Sequence, residues 1–351
     1  MKHDMTGFER LGLKPDYQDT IKRYEAFWNG DLLDRPLIRI VVPRHEFNMK
    51  PNSYYDRIYG DLDDIISRIV HNTRGRLYLG ESLPQPLLTF GPGEIAAYCG
   101  GKLHFHESNH DTNWAEPFVD EWEAALPISL KADDSLWLRM QSFIAKCADA
   151  MQGEMLFSPL DLHTNLDLLM GMRGIERLCM DLIDCPDVID KAMEQTMGIF
   201  DQLYEHAYEE YNLPSPAGFE VLQCDFSCMI SSSMFERFAL PYLEREAEYF
   251  RNRILYHWDG VDALTHTDSL IASKNLYLLG FLPGAGNGEY KDYLNVYEKI
   301  QAAGKAVSVG GSPDEIKYLH KSLKPNLTVY DTSVDTVGEA EELLRWFVEN
   351  T

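Results

Sequence analysis

The sequence predicts an α/β fold of the (β/α)8-barrel type, and three observations lead there. Eight short apolar runs alternate with helical stretches along 351 residues. Gly284-Ala285-Gly286-Asn287-Gly288 follows a strand-like run but lacks the spacing of a dinucleotide-binding turn, so it reads as a loop. Ionisable residues gather where the apolar runs stop, which in a barrel is a single rim. A doubly wound sheet would need fewer strands or a second domain.

Tyr17, Ile21, Tyr24, Phe27 and Trp28 recur at helical spacing, and Asn29-Gly30 stops that first helix. Residues 1–34 therefore read as a helical extension and 35–351 as the barrel. The first strand is Leu37-Ile38-Arg39-Ile40-Val41-Val42, rich in β-branched side chains and ended by Pro43. A helix marked by Ile65, Ile66, Ile69 and Val70 leads to the second run, Pro86-Leu87-Leu88-Thr89-Phe90, closed by Gly91-Pro92-Gly93. Residues 101–128 break the rhythm, and the His-, Asn-, Trp- and Glu-rich stretch from Leu103 to Leu126 reads as an inserted hairpin or lid. Its His104, His106 and His110 form a weak cluster that suits a solvated loop. A helix over Leu136–Ala150 precedes the third strand, Met155-Leu156-Phe157-Ser158. A long helix from Asp187 to about Tyr211 precedes the fourth, Phe219–Gln223, and a helix from Ser233 to about Arg251 precedes the fifth, Ile254-Leu255-Tyr256-His257. Leu276–Leu279, Ala306–Val309 and Leu327–Tyr330 complete the eight.

The composition, 45% hydrophobic and 25% charged, is that of a globular chain able to bury a large core. A net charge of −24 argues against a nucleic-acid partner, which demands concentrated Lys and Arg. The start, Met1-Lys2-His3-Asp4-Met5, is polar, and no apolar run approaches the roughly 20 residues of a membrane span, so a cytoplasmic location is expected. The six cysteines, at 99, 147, 179, 185, 224 and 228, lack metal-ribbon or disulfide-scaffold spacing and are expected to be reduced and mostly buried.

At the strand ends, Arg44 and His45 follow the first strand, Asp161 and His163 the third, and Gln223, Cys224 and Asp225 the fourth. His257 and Asp259 end the fifth, and Tyr330 and Asp331 the eighth. Side chains alternate along a strand, so His257 and Asp259 project to one side and can grip one metal ion or one substrate. Imidazole and carboxylate suit zinc or another divalent ion, and a catalytic zinc takes three protein ligands. Asp331, Asp225 or Cys224 can be the third. Without metal, the same acids can hold a polar substrate while His257 moves protons near neutral pH.

Leu222-Gln223-Cys224-Asp225, followed by Ile230-Ser231-Ser232-Ser233-Met234-Phe235-Glu236-Arg237-Phe238-Ala239-Leu240-Pro241-Tyr242, resembles the uroporphyrinogen decarboxylase superfamily. Gly91-Pro92-Gly93-Glu94, Phe157-Ser158-Pro159-Leu160 and His257-Trp258-Asp259-Gly260 support the resemblance, which runs from about Asp34 onward. Its true decarboxylases carry an arginine-rich segment after the first strand. Here Val42-Pro43-Arg44-His45-Glu46 keeps one arginine, and a tetrapyrrole with many carboxylates would approach this acidic chain unfavourably. The other branch is similar to cobamide-dependent methyltransferases, which hold zinc through a His-x-Cys pair and a distant Cys.

In this chain Asp259 and Asp331 stand where that branch has cysteines, so the resemblance implies zinc or another divalent metal held by His257, Asp259 and Asp331. Harder carboxylate ligands would leave zinc more Lewis-acidic and suit an oxygen- or nitrogen-bound methyl group. Asp225 and His163 are expected to position substrate or shuttle a proton, and Arg44, His45, Asp161 and Gln223 to bind substrate. The activity expected is methyl transfer from a small methylated substrate, with a corrinoid carried by a partner protein and homodimer formation left open. The alternatives are a metal-independent decarboxylase using Asp225 and Tyr330, its basic mouth built from Arg44 and Arg173, and a non-catalytic small-molecule-binding barrel.

Overall fold

The computed structural model describes residues 9–106, 112–211 and 218–351. Its main sheet is formed by β1 (Leu37–Pro43), β2 (Arg76–Gly80), β5 (Glu220–Gln223), β6 (Ile254–Asp259), β7 (Leu278–Leu282), β8 (Ala306–Gly310) and β9 (Thr328–Ser333). A separate hairpin pairs β3 (Lys102–Phe105) with β4 (Asn113–Glu116). The sheet order is β2-β1-β9-β8-β7-β6-β5. Every neighbouring pair runs parallel except β1 and β2. The fold is thus mixed α/β around a mostly parallel sheet. Among the described residues no helix is long and apolar enough to cross a membrane.

Alternation along the strands sorts side chains into two sets. Ile38, Ile40, Val42, Tyr256, Trp258 and Tyr330 are buried on the helix-covered side. Arg39 and Val41, Leu255, His257 and Asp259, and Asp331 take the opposite side and are only partly buried or exposed. Two contacts fix the start of β1. The Arg35 guanidinium makes a bidentate pair with Glu81 at 2.7 and 2.8 Å, and the Ile38 amide donates to Glu81 Oε2 at 2.7 Å. Helix Tyr17–Trp28 lies across the near end of the sheet, where the Tyr24 hydroxyl donates to Glu81 O at 3.0 Å and Trp28 Nε1 to Gly218 O at 3.3 Å.

The expected second and third strands, 86–90 and 155–158, form only a short parallel contact. Leu88 N donates to Ser158 O, Ser158 N to Pro86 O and Leu156 N to Pro84 O, around a bridge between Leu87 and Ser158. The reason is local: Pro84, Pro86 and Pro159 carry no amide hydrogen, so a ladder through them is interrupted. β2, the antiparallel partner of β1, was not anticipated. Helices Asn165–Arg173 and Ile175–Asp184 were not anticipated either, and they are separated by Gly174 at φ +87°. The expected helix from Ser233 to Arg251 breaks at Ala239 into Ser232–Phe238 and Leu240–Tyr249, with Pro241 in the first turn of the second.

The hairpin expected near 103–126 is present as β3–β4. It is pinned by Asn113, whose Nδ2 donates to Phe90 O at 2.6 Å and whose Oδ1 accepts from Gly93 N at 3.0 Å. Gly91 makes this possible: at φ +109° any Cβ would fall 2.4 Å from Asn113 Nδ2. His104 pairs with Glu116 at 3.2 Å on the exposed outer side of the hairpin, and His110 lies outside the described residues. All six cysteines are free thiols; Cys99, Cys147 and Cys224 are buried and the other three partly so.

Candidate functional site

The carboxyl ends of β5 and β6 meet the loop after Ser158, and their polar side chains form one connected cluster. Parallel pairing sets Gln223 beside His257. Gln223 Nε2 donates to Asp161 Oδ1 at 2.6 Å, and the other oxygen of Asp161 lies 3.4 Å from His163 Nε2. His163 Nδ1 meets Asp167 Oδ2 at 3.2 Å and approaches Asp225 Oδ2 at 3.9 Å. The side chains of His257, Asp259 and Asp225 then bring one ligand atom each to within 4.8 Å of the others.

Asp167 organises this cluster, and the sequence reading did not single it out. Its side chain is 1% exposed, and its two oxygens accept the backbone amides of Asp225 and Phe226, both at 2.9 Å. Its spacing from His163, four residues across the start of helix Asn165–Arg173, is the signal that could have revealed it. Glu94 has a similar role in the layer further out. It is fully buried and accepts from Phe90 N, the Thr89 and Tyr98 hydroxyls and Asp161 N. Burial pushes it up to about 7, with the charge of Asp161 adding and the Phe90 amide and the Thr89 and Tyr98 hydroxyls opposing. Glu94 and Asp167 touch Asp161 and Asp225 through the backbone, so they are positioning residues.

The charges are distributed unevenly. Burial alone would lower the His163 imidazole, but hydrogen bonds and charge from Asp161 and Asp167 overcome it and hold the ring well above its ordinary value, protonated at neutral pH. His257 goes the other way: burial lowers it, Asp259 and Asp161 oppose, and the ring is neutral with a lone pair to offer. Burial, then the like charge of Asp167, pushes Asp225 up to about 6, with His163 opposing. Asp225 Oδ1 is buried without a hydrogen-bond partner. Neither ring nitrogen of His257 has one among the described residues.

Two cavities reach the cluster. One, of about 810 Å³, is the interior between the strands and is lined by Arg39, Asp161, Gln223, His257 and Asp331 among others. The second, of about 670 Å³, lies under the β3–β4 hairpin, bounded by Trp114, Gly171 and Arg177, and ends on His163, Asp167 and Asp225.

Other expected site residues stand elsewhere. Asp331 faces the interior but is paired with Arg39 Nε at 2.8 Å and sits outside the His257 group. Tyr330, its neighbour along the strand, points to the opposite side by strand alternation, packed against His320 and Phe347. Arg44 and His45 belong to a surface turn after β1, where Arg44 pairs with Glu46 at 3.0 Å and His45 Nε2 contacts Asp335 O at 3.2 Å. Arg173 lines the outer cavity but is committed to Asp181 at 2.6 Å.

No protein-family model matches this sequence, and no curated protein matches it significantly. Among solved structures the chain is similar to a methyltransferase from Methanosarcina mazei, with a TM-score of 0.61 and 11% identity over 94% of this chain and 98% of that one. The chain therefore shares the overall fold of that methyltransferase.

Proposed function

We propose that this protein is a methyltransferase-like enzyme that removes a methyl group from a small compound at a divalent metal held by Asp225, His257 and Asp259. The observation that carries the reading is this trio itself: one imidazole and two carboxylates whose donor atoms lie within 4.8 Å of one another, with Asp225 Oδ1 and the His257 ring free of hydrogen-bond partners among the described residues. The neighbouring group of His163, Asp167 and Asp225 is a poorer fit, because Asp167 is already filled by two backbone amides and a protonated His163 repels a cation. The fold likeness to a methyltransferase supports the activity class, as does the sequence resemblance to the cobamide-dependent branch of the uroporphyrinogen decarboxylase superfamily. Asp225 thus replaces Asp331 as third ligand in this proposal.

A bound divalent ion would supply Lewis acidity, raised by carboxylates in place of thiolates. The chain's own groups do the rest. Asp167 fixes His163 and the Asp225 backbone, Gln223 and His163 orient Asp161, and cationic His163 is placed to give a proton to a leaving group beside Asp225. The methyl group would pass to a corrinoid carried by a partner protein; that acceptor belongs to this proposal and rests on the sequence resemblance. So does closure of the sheet as a (β/α)8 barrel spanning residues 35–351, supported by the parallel contact of 84–88 with 156–158 and by the Ser158 hydroxyl donating to Glu220 of β5 at 3.1 Å.

Elemental analysis of the purified protein beside His257→Ala, Asp259→Ala and Asp225→Asn tests the metal. Near-stoichiometric divalent metal in the wild type, lost in the three variants, is expected. Metal retained by all three, or none bound after zinc is added back, would overturn the assignment.

A further inference from the structure

The interior cavity has one strongly basic side chain among its described lining residues, Arg39, and the cluster above does not use it. Strand alternation buries Ile38 and Ile40 behind the sheet and turns Arg39 into the cavity. Its guanidinium is held on two sides only: Nε lies 2.8 Å from Asp331 Oδ1, and the plane sits over the Phe219 ring at 4.9 Å. The two Nη groups have no hydrogen-bond partner among the described residues. A third of the side chain (33%) stays accessible although it lies within the fold, because it borders the cavity.

Among the described residues, the acids nearby leave that outer edge free. Asp331 takes the Nε edge. Burial pushes Glu220 up to about 8, so it is neutral at pH 7, and it accepts a hydrogen bond from Ser158. Asp161 is held by Gln223 and His163. An arginine with two parallel N–H groups facing an enclosed space matches the two oxygens of a carboxylate. The aromatic face of Phe219 and the Asp331 pair fix its orientation in advance.

We propose that Arg39 anchors the carboxylate of the substrate, so that the compound handled here is a small methylated carboxylate. Its anionic end lies on Arg39 and its methylated end faces His257 in the same cavity. The second half of that statement rests on the methyltransferase reading; the anchor does not. About 810 Å³ leaves ample room for such a molecule.

The test uses the full chain and two probe pairs that differ only in charge: methoxyacetate against 2-methoxyethanol, and N,N-dimethylglycine against 2-(dimethylamino)ethanol. Binding is measured by calorimetry with 1,10-phenanthroline present, so that no metal reports as the anchor. In the wild type each carboxylate is expected to bind at least tenfold more tightly than its alcohol. Arg39→Gln should erase the preference, Arg39→Lys should keep part of it, and Asp331→Asn, whose amide oxygen can still accept from Nε while the competing charge is gone, should widen it. Equal binding within both pairs, no binding by either carboxylate, or an undiminished preference in a folded Arg39→Gln would overturn the anchor. Should Arg39→Gln fail to fold, Asp331→Asn decides, since an unchanged or reduced preference there also contradicts the proposal. A carboxylate preference in a protein that never demethylates would retire the methyltransferase reading alone. Demethylation without the preference would retire the anchor alone.

Discussion

Replacing Asp167 with Asn removes one negative charge from the middle of the cluster while keeping its shape. In the native protein the buried carboxylate accepts two backbone amides at 2.9 Å and the His163 ring at 3.2 Å. An amide side chain has one acceptor oxygen, so one backbone N–H then faces an NH2 group and is left unsatisfied. A hydrogen bond to a charged group is worth about 1.5–3 kcal/mol, and an orphaned buried donor costs a further ~1–3 kcal/mol. The expected loss is therefore about 3–5 kcal/mol of folding stability, read from urea unfolding with an unchanged m-value. A second readout is specific to the site. His163, deprived of one of its two counter-ions, should titrate at lower pH in ring-proton NMR, and Asp225, relieved of a like charge, should fall from about 6. A loss under about 1 kcal/mol together with an unmoved His163 titration would refute the organising role given to Asp167.

Glu246, fully buried behind β5, has its carboxyl pushed up to about 8 by burial, with Thr164 and Asn165 opposing. A raised folded value means that its stabilising contribution is complete below the ordinary 4.5 and is lost as pH rises through 8, an upper bound of roughly 5 kcal/mol. Glu246→Gln should flatten that decline, making the variant more stable than wild type at pH 9 by chemical denaturation; parallel curves would contradict the shift. Gly91→Ala should cost about 2–4 kcal/mol, because φ +109° is open essentially to glycine and the new methyl displaces Asn113. Calorimetry would read this as a lowered Tm, and an unchanged Tm would contradict it. Tyr330→Phe deletes a buried hydroxyl that meets no well-aligned hydrogen-bond partner among the described residues, with only Thr328 near it, and should change stability by no more than about 1 kcal/mol and leave turnover unaffected. A large loss of turnover would return Tyr330 to the chemistry and favour the decarboxylase alternative.

The strands with unbroken apolar runs were legible in the sequence: β1, β5, β6, β7, β8 and β9 lie within a few residues of where patterning put them. So was the shared direction of His257 and Asp259, which follows from alternation alone. What patterning missed depends on groups distant in sequence. The prolines at 84, 86 and 159 look like strand punctuation, yet their missing amides reduce two expected strands to a brief contact. Asp167 sits in a helix whose Thr164 N-cap, with Asp167 itself three residues on, is a start signal that patterning passed over; Asn165 enters it at φ +53° and the Thr164 side chain makes no capping bond. Arg39 read simply as a polar member of a strand. Its significance appears only when Asp331, from the far end of the chain, occupies one edge of it and leaves the other bare. Tyr330 and Asp331 were grouped because they are adjacent, although adjacency in a strand sends them to opposite sides.

The proline-punctuated contact also has a mechanical consequence. From β5 through β9 to β1 the wall of the interior is laced by continuous pairing. Residues 84–88 and 156–158 are joined to each other by the amides of Leu88, Ser158 and Leu156. Asp161 and His163 are carried just beyond Ser158, next to that short contact, whereas His257 and Asp259 end a strand paired with two neighbours. The site thus rests on two kinds of support: His257 and Asp259 on a strand paired on both sides, and Asp161 and His163 on a short backbone contact reinforced by the side chains of Gln223 and Asp167.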